Sequence, residues 1–199
     1  MKLKDKVVVI TGSTRGIGRA IADECGKEGA KVVISSRKES SVNKTLEKIK
    51  NNGYKVTGIV SDVSQKADLE KLLIHAVDTF GKIDVWINNA GLSSGFRPLT
   101  EIEDDEIVSL VNVNLTGLLL ASKIVIGYFK KHNGGILINM SGKGWDGKAS
   151  PNTAVYAATK SAVTSISKSL AAEYKNYPIS IHSLLPGMVK TDFYVDIKT

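Results

Sequence analysis

Val7-Val8-Val9-Ile10-Thr11-Gly12-Ser13-Thr14-Arg15-Gly16-Ile17-Gly18 joins a short apolar run to a glycine-rich turn. The run does not alternate with polar residues, so the strand it forms should be covered on both faces, as in a parallel sheet between helix layers. Behind Gly16 the apolar residues recur at spacings of three and four, the period of an amphipathic helix. Glycines in the turn permit close backbone approach. A helix start offers unpaired N–H groups and a partial positive charge, so strand, glycine turn and helix in this order form a cradle for a pyrophosphate.

The same alternation continues outward. Short apolar runs at 31–35, 55–60, 83–87, 136–139 and 179–184 alternate with segments of helical period at 40–51, 66–80, 104–131 and 154–174. With the first strand and a helix over 16–28, this predicts a single α/β domain over 1–199, a doubly wound parallel sheet with helices on both faces. No repeat, low-complexity tract or linker interrupts it. The composition agrees: 42% of 199 residues are apolar and 24% charged, which excludes a disordered chain, and one cysteine excludes a disulfide scaffold. Thr116, Ser122 and Lys123 break the longest apolar stretch, so no membrane span is expected. The basic start Met1 to Lys6 is followed by too short an apolar run for a signal peptide, so a cytoplasmic protein is expected. The net charge is +7, but Lys and Arg are dispersed among acids, so no nucleic-acid partner is expected. Cys25 reads as a packing residue, and His75, His132 and His182 lack ligand spacing, so no metal site is expected.

The spacing Gly12-x-x-x-Gly16-x-Gly18 resembles the nucleotide loop of the short-chain dehydrogenase/reductase family, whose fold is Rossmann-type. Further motifs follow in that family's order: Asp62-Val63, Asn88-Asn89-Ala90-Gly91, Asn112-Val113-Asn114-Leu115-Thr116-Gly117, Tyr156-Ala157-Ala158-Thr159-Lys160 and Pro186-Gly187-Met188-Val189-Lys190-Thr191. The resemblance implies that Gly12, Ser13, Thr14, Arg15, Gly16, Ile17 and Gly18 cradle the cofactor phosphates and that Asp62 and Val63 meet the adenine. It also implies that Asn89, Ala90 and Gly91 line the cleft, and that Pro186, Gly187, Val189 and Thr191 hold the nicotinamide end. Charge selects among cofactors. The second strand ends Ser35-Ser36-Arg37, with no acid to accept from a ribose 2′-OH, and Arg15 and Arg37 offer forked donors suited to a 2′-phosphate. NADP(H) is therefore the expected cofactor, unless both arginines are simply solvated.

Tyr156 and Lys160 stand four apart on a predicted helix and so share a face. A tyrosine has an ordinary pKa of about 10, so acid–base work near neutrality asks for roughly 4 kcal/mol of help. An ammonium about 5 Å away at an effective dielectric near 20 supplies roughly 3 kcal/mol. Alone this pair could be a half-buried helix face. The resemblance implies more: Tyr156 as proton donor to a carbonyl oxygen, Lys160 also on the nicotinamide ribose, and Asn114 anchoring a water of the proton relay. The family's substrate-binding serine is where this chain departs from the pattern. Gly142 falls on its position and Ser141 is the nearest hydroxyl, expected to bind the substrate oxygen unless it faces away and leaves the role to backbone N–H groups or Thr153. Trp145, Asp146 and Lys148, with residues 93–96 opposite, either border the substrate or form a surface turn with a packed indole.

The resemblance thus implies an NADPH-dependent reductase of small carbonyls, or in reverse an alcohol dehydrogenase. A 3-oxoacyl-carrier-protein reductase and a dinucleotide-binding protein with little catalysis are the alternatives. A homodimer or homotetramer is implied as well. Family members usually continue past the Pro-Gly-x-x-x-Thr segment with a substrate lid and a seventh strand, so either the sequence is truncated after Thr199 or these are missing here.

Overall fold

A computed structural model describes residues 1–187 and 189 of the chain. The strands are β1 (Val7–Ile10), β2 (Lys31–Ser36), β3 (Val56–Val60), β4 (Val85–Asn88), β5 (Gly135–Met140) and β6 (Ile179–Leu184). They form one parallel sheet of order β3-β2-β1-β4-β5-β6. The helices α1 (Gly16–Lys27), α2 (Glu39–Asn51), α3 (Lys66–Phe80), α4 (Asp104–Val111), α5 (Gly117–Lys131) and α6 (Ala154–Glu173) carry the crossovers. Every side chain of β1 is buried because alternate residues enter opposite layers. Val7 and Val9 join Trp86 and Leu137 under α3 and α5, whereas Val8 and Ile10 join Val32 and Ile34 under α1 and α2. Strand order reverses at the β1–β4 boundary, which opens a crevice beyond the carboxyl ends of the strands.

Most boundaries fall within a residue of the sequence expectation, and two features differ further. The fourth strand begins at Val85 rather than 83, because the Asp84 carboxylate turns back to accept from the Val7 N–H at 2.8 Å. The segment 104–131 is one continuous run but not one α-helix. A π turn at Asn112–Thr116 separates α4 from α5, and its wider loop of backbone breaks the 3.6-residue period. By length and composition the run Asp104–Lys131 would suffice to cross a bilayer. In the fold, Leu110, Val113, Ala121, Val125 and Phe129 are buried, so its apolar face belongs to the core.

A polar network lies within that core. The Trp86 Nε1–H donates to Asn88 Oδ1 at 2.8 Å, Asn88 Nδ2 donates to Asn139 Oδ1 at 2.9 Å, and Asn139 Nδ2 donates to Ser167 Oγ at 3.0 Å. It ties β4 and β5 to α6, the helix that carries Tyr156 and Lys160.

Candidate active site

A cleft of about 610 Å³ follows the crevice from the start of α1 to α6. Its floor at one end is the glycine loop. Gly12 has φ +63°, and a Cβ there would stand 2.8 Å from the Ala90 Cα, so both the backbone angle and the close approach require glycine. Asn89 Nδ2 donates to the carbonyls of Thr11 and Gly12 at 2.9 and 3.0 Å, fastening the loop to the end of β4. The first turn of α1 holds no acid, and the Arg15 side chain at its N-cap makes no capping bond. The N–H groups of that turn therefore face the cleft without a competing acidic residue of their own helix.

Most of the residues singled out from the sequence line this one cleft. Thr14, Arg15, Gly16, Ile17 and Gly18 stand at the α1 end with Arg37, and Asp62 and Val63 beside them. Asn89, Ala90, Gly91, Tyr156, Lys160, Pro186, Gly187 and Val189 continue it toward the other end. Asp62 is oriented by its own turn, Oδ1 accepting from the Ser64 N–H and hydroxyl at 2.9 and 2.8 Å. Thr191 lies outside the described residues. Ser13 is fully buried and turned inward, donating to the Ile10 carbonyl at 2.7 Å and accepting from the Ser35 N–H at 3.0 Å. It shapes the loop from beneath.

Asn114 is also beneath the cleft rather than in its lining. The π turn buries its side chain, which accepts from the Leu92 N–H at 2.7 Å and donates to the Leu92 carbonyl at 2.9 Å and to Thr159 Oγ1 at 3.2 Å. It therefore pins the loop after β4 to the middle of the Tyr156–Lys160 turn. Lys160 is 6% exposed, its Nζ donates to the Met140 carbonyl at 2.9 Å and stands 5.6 Å from the centre of the Tyr156 ring. Burial brings its pKa down to about 8.

The Ser141 hydroxyl is turned toward α6. The residue lines the cleft, but its hydroxyl donates to the Lys160 carbonyl at 2.8 Å and shares a bond with Thr164 Oγ1 at 3.0 Å, so its proton is directed to the helix. The Thr153 hydroxyl donates to the Ser150 carbonyl at 2.9 Å and is buried. The position facing Tyr156 is Gly142, where a Cβ would stand 2.8 Å from the tyrosine oxygen. Ser61, Leu92 and Leu185 line the cleft too and escape the motif reading. Each is the chain neighbour of a motif residue, and only the local direction of the backbone turns it into the cleft.

A parallel sheet with a glycine-lined crevice at its switch point, and a Tyr–Lys pair at the far end of that crevice, define a dinucleotide-binding oxidoreductase architecture. The chain belongs to the short-chain dehydrogenase family, whose profile it matches over residues 6–199. It is 38% identical over 191 residues to a chloroplastic chlorophyll(ide) b reductase of Arabidopsis thaliana, covering 93% of this chain and 55% of the relative. Across the four chlorophyll(ide) b reductases it resembles, this chain spans 40% to 56% of their length. Among solved structures it superposes on a 3-ketoacyl-(acyl-carrier-protein) reductase from Brucella melitensis complexed with NADH. There the TM-score is 0.90 and the identity 31%, over 97% of this chain and 79% of that one. A variant of actinorhodin polyketide ketoreductase with NADPH also superposes at a TM-score of 0.90, with 30% identity over 96% of this chain and 74% of that one.

Proposed function

We propose that this chain is an NADP(H)-dependent oxidoreductase that interconverts a carbonyl compound and its alcohol. One observation carries the reading: a single cleft holds the glycine loop with Arg15 and Arg37 at one end and Tyr156 with Lys160 at the other. The end of β2 offers Ser36 and Arg37 and no acid, the arrangement that favours a 2′-phosphate over a free ribose hydroxyl. Nicotinamide, when bound, supplies or accepts hydride. Tyr156 donates the proton to the carbonyl oxygen and takes it back in reverse. Lys160 holds the charge beside the tyrosine ring that favours the phenolate. Asn114 acts as a positioning residue through Leu92 and Thr159. With Ser141 bound to α6 and glycine at 142, the Tyr156 hydroxyl both orients the substrate oxygen and protonates it.

The test is NADPH oxidation over a panel of ketones and aldehydes. Tyr156→Phe should lower kcat by at least about a hundredfold, the usual worth of a positioned general acid. NADPH should be preferred to NADH by more than about tenfold in kcat/KM, roughly 1.4 kcal/mol, and Arg15→Ala and Arg37→Ala should each narrow that margin. Normal turnover by the Phe variant, or equal use of both cofactors, would overturn the corresponding half of the reading. The glycine at 142 favours one second reading, a dinucleotide-binding protein with little catalysis, which tight NADPH binding without turnover would support. Turnover of acetoacetyl thioesters above simple ketones would instead favour a 3-oxoacyl-carrier-protein reductase, a specialisation of the first reading.

A further inference from the structure

The reacting end of the cleft is walled by side chains that the reaction itself does not use. Trp86 and Phe129 are fully buried, whereas Trp145 and Phe96 are 46% and 49% exposed, and both line the cleft that holds Tyr156. Neither sits on a loose segment. The Trp145 N–H donates to the Gly142 carbonyl at 3.1 Å, closing a turn against α6. Within that turn Gly144 has φ +92°, and a Cβ there would lie 2.5 Å from the Ala157 Cβ. The turn is thus pressed on the residue next to Tyr156. On the opposite wall, the Arg97 N–H beside Phe96 donates to the Asn152 carbonyl at 3.0 Å. The Arg97 side chain donates to the Ser94 carbonyl at 2.7 Å and pairs with Glu106. The two walls are therefore linked to each other and to α6.

The charge between them has one sign. Lys143 Nζ lies 5.2 Å from the centre of the Phe96 ring, and among the described residues no carboxylate pairs with it. Asp146, the acid of the same loop, is engaged by Lys148 at 3.1 Å, and the Lys148 N–H and ammonium hold its carboxyl below the usual range. The Trp145 ring presents a stacking surface to a flat π-system, and the Lys143 ammonium, which stands over one face of Phe96, suits an anion.

We propose that Phe96, Lys143 and Trp145 form a recognition clamp for a flat, conjugated carbonyl substrate that carries a carboxylate. The π-system stacks on the exposed rings, the carboxylate meets Lys143, and the carbonyl is thereby turned to Tyr156. The substrate class rests on the oxidoreductase reading; the clamp as a binding site does not.

The test uses 3- and 4-carboxybenzaldehyde, their methyl esters and cyclohexanecarboxaldehyde, in two measurements. In NADPH-dependent turnover, the better carboxybenzaldehyde should exceed its methyl ester in kcat/KM. Lys143→Met should shrink that ratio by about fivefold at low salt, the upper range for a partly exposed ion pair. Phe96→Ala and Trp145→Ala should shrink the aryl-to-cyclohexyl ratio instead. In binding, 4-carboxybenzyl alcohol should quench the fluorescence of Trp145 in the presence of NADP⁺, and the quenching should weaken in Lys143→Met and vanish in Trp145→Phe. Turnover of all aldehydes with equal ratios in wild type and variants would overturn the clamp while leaving the oxidoreductase reading standing. Quenching by the carboxylated alcohol without turnover of any of these aldehydes or of the ketone panel would overturn that reading and uphold the clamp.

Discussion

Lys160 is a charge largely withdrawn from water at the wall of the cleft, and its stability cost is measurable. A lysine whose pKa falls from 10.5 in the unfolded chain to about 8 in the fold binds its proton less readily when folded. Below pH 8 the native state carries the whole penalty. Between pH 8 and 10.5 the unfolded state binds more protons than the native one, so stability rises with pH across that window. Lys160→Met removes the buried charge and also the donor to the Met140 carbonyl, worth about 1 kcal/mol. We therefore expect it to gain about 1–2 kcal/mol at pH 7 in urea denaturation while losing activity, because relieving the desolvation of a buried ammonium outweighs one lost bond. The gain should disappear as the pH approaches 10.5; a variant less stable than wild type at pH 7 would show that the ammonium is well solvated. Gly142 is the second residue with a sharp consequence. A methyl group there meets the Tyr156 hydroxyl at 2.8 Å, so the phenol must shift. Gly142→Ala should lower kcat by about tenfold, since misplacement by a fraction of an ångström already costs orientation. Its Tm should change little, because the atom that yields is the tip of a side chain.

At the scale of elements, the π turn does what an unbroken helix could not. Five residues, Asn112–Thr116, widen one turn and carry the Asn114 side chain under the loop after β4. Asn114→Ala leaves the Leu92 N–H and carbonyl without their partner in a part-buried site. We expect a loss of about 2–3 kcal/mol in denaturant unfolding, the cost of two orphaned backbone groups, together with a fall in kcat; Asn114→Asp should recover only the bond from the Leu92 N–H. Unchanged stability in the alanine variant would mean that water replaces the amide. Elements of this kind also mark what could be read from the chain alone. The order of strands and helices was legible because buried parallel strands and amphipathic helices leave different periods in the sequence. The glycine loop was legible because its mechanism needs fixed residues between a strand and a helix. The π turn was not, since its residues obey the same apolar rhythm as their neighbours. Nor was the direction of the Ser141 hydroxyl, because past Met140 the chain leaves the strand and alternation no longer says which face a residue takes. Loop order brings Phe96 and Trp145 to the cleft, but their exposure depends on how those loops pack on Asn152 and Ala157.

At the scale of the whole molecule, a net charge of +7 is spread over the surface, yet the cleft gathers it unevenly. Arg15 and Arg37 lie at one end, Lys143 and Lys160 at the other, and Asp62, beside the arginines, already has one oxygen held by Ser64. A cleft lined by one sign of charge between low-dielectric walls concentrates the opposite sign, and salt weakens that attraction according to distance. A cofactor with a 2′-phosphate carries about two more negative charges than one without, and on the proposed reading would bring them to the two arginines. Raising NaCl from about 20 to 200 mM shortens the screening length from roughly 20 Å to 7 Å, which should weaken NADPH binding about fivefold and NADH binding about twofold. Arg15→Ala with Arg37→Ala should bring the two salt responses together, because the general field of the protein acts on both cofactors and only the arginines act on the extra phosphate. Isothermal titration at the two salt concentrations measures all four affinities. Parallel salt responses in the unmodified protein would mean that the 2′ position faces solvent, and the surplus of basic residues would then contribute to approach alone.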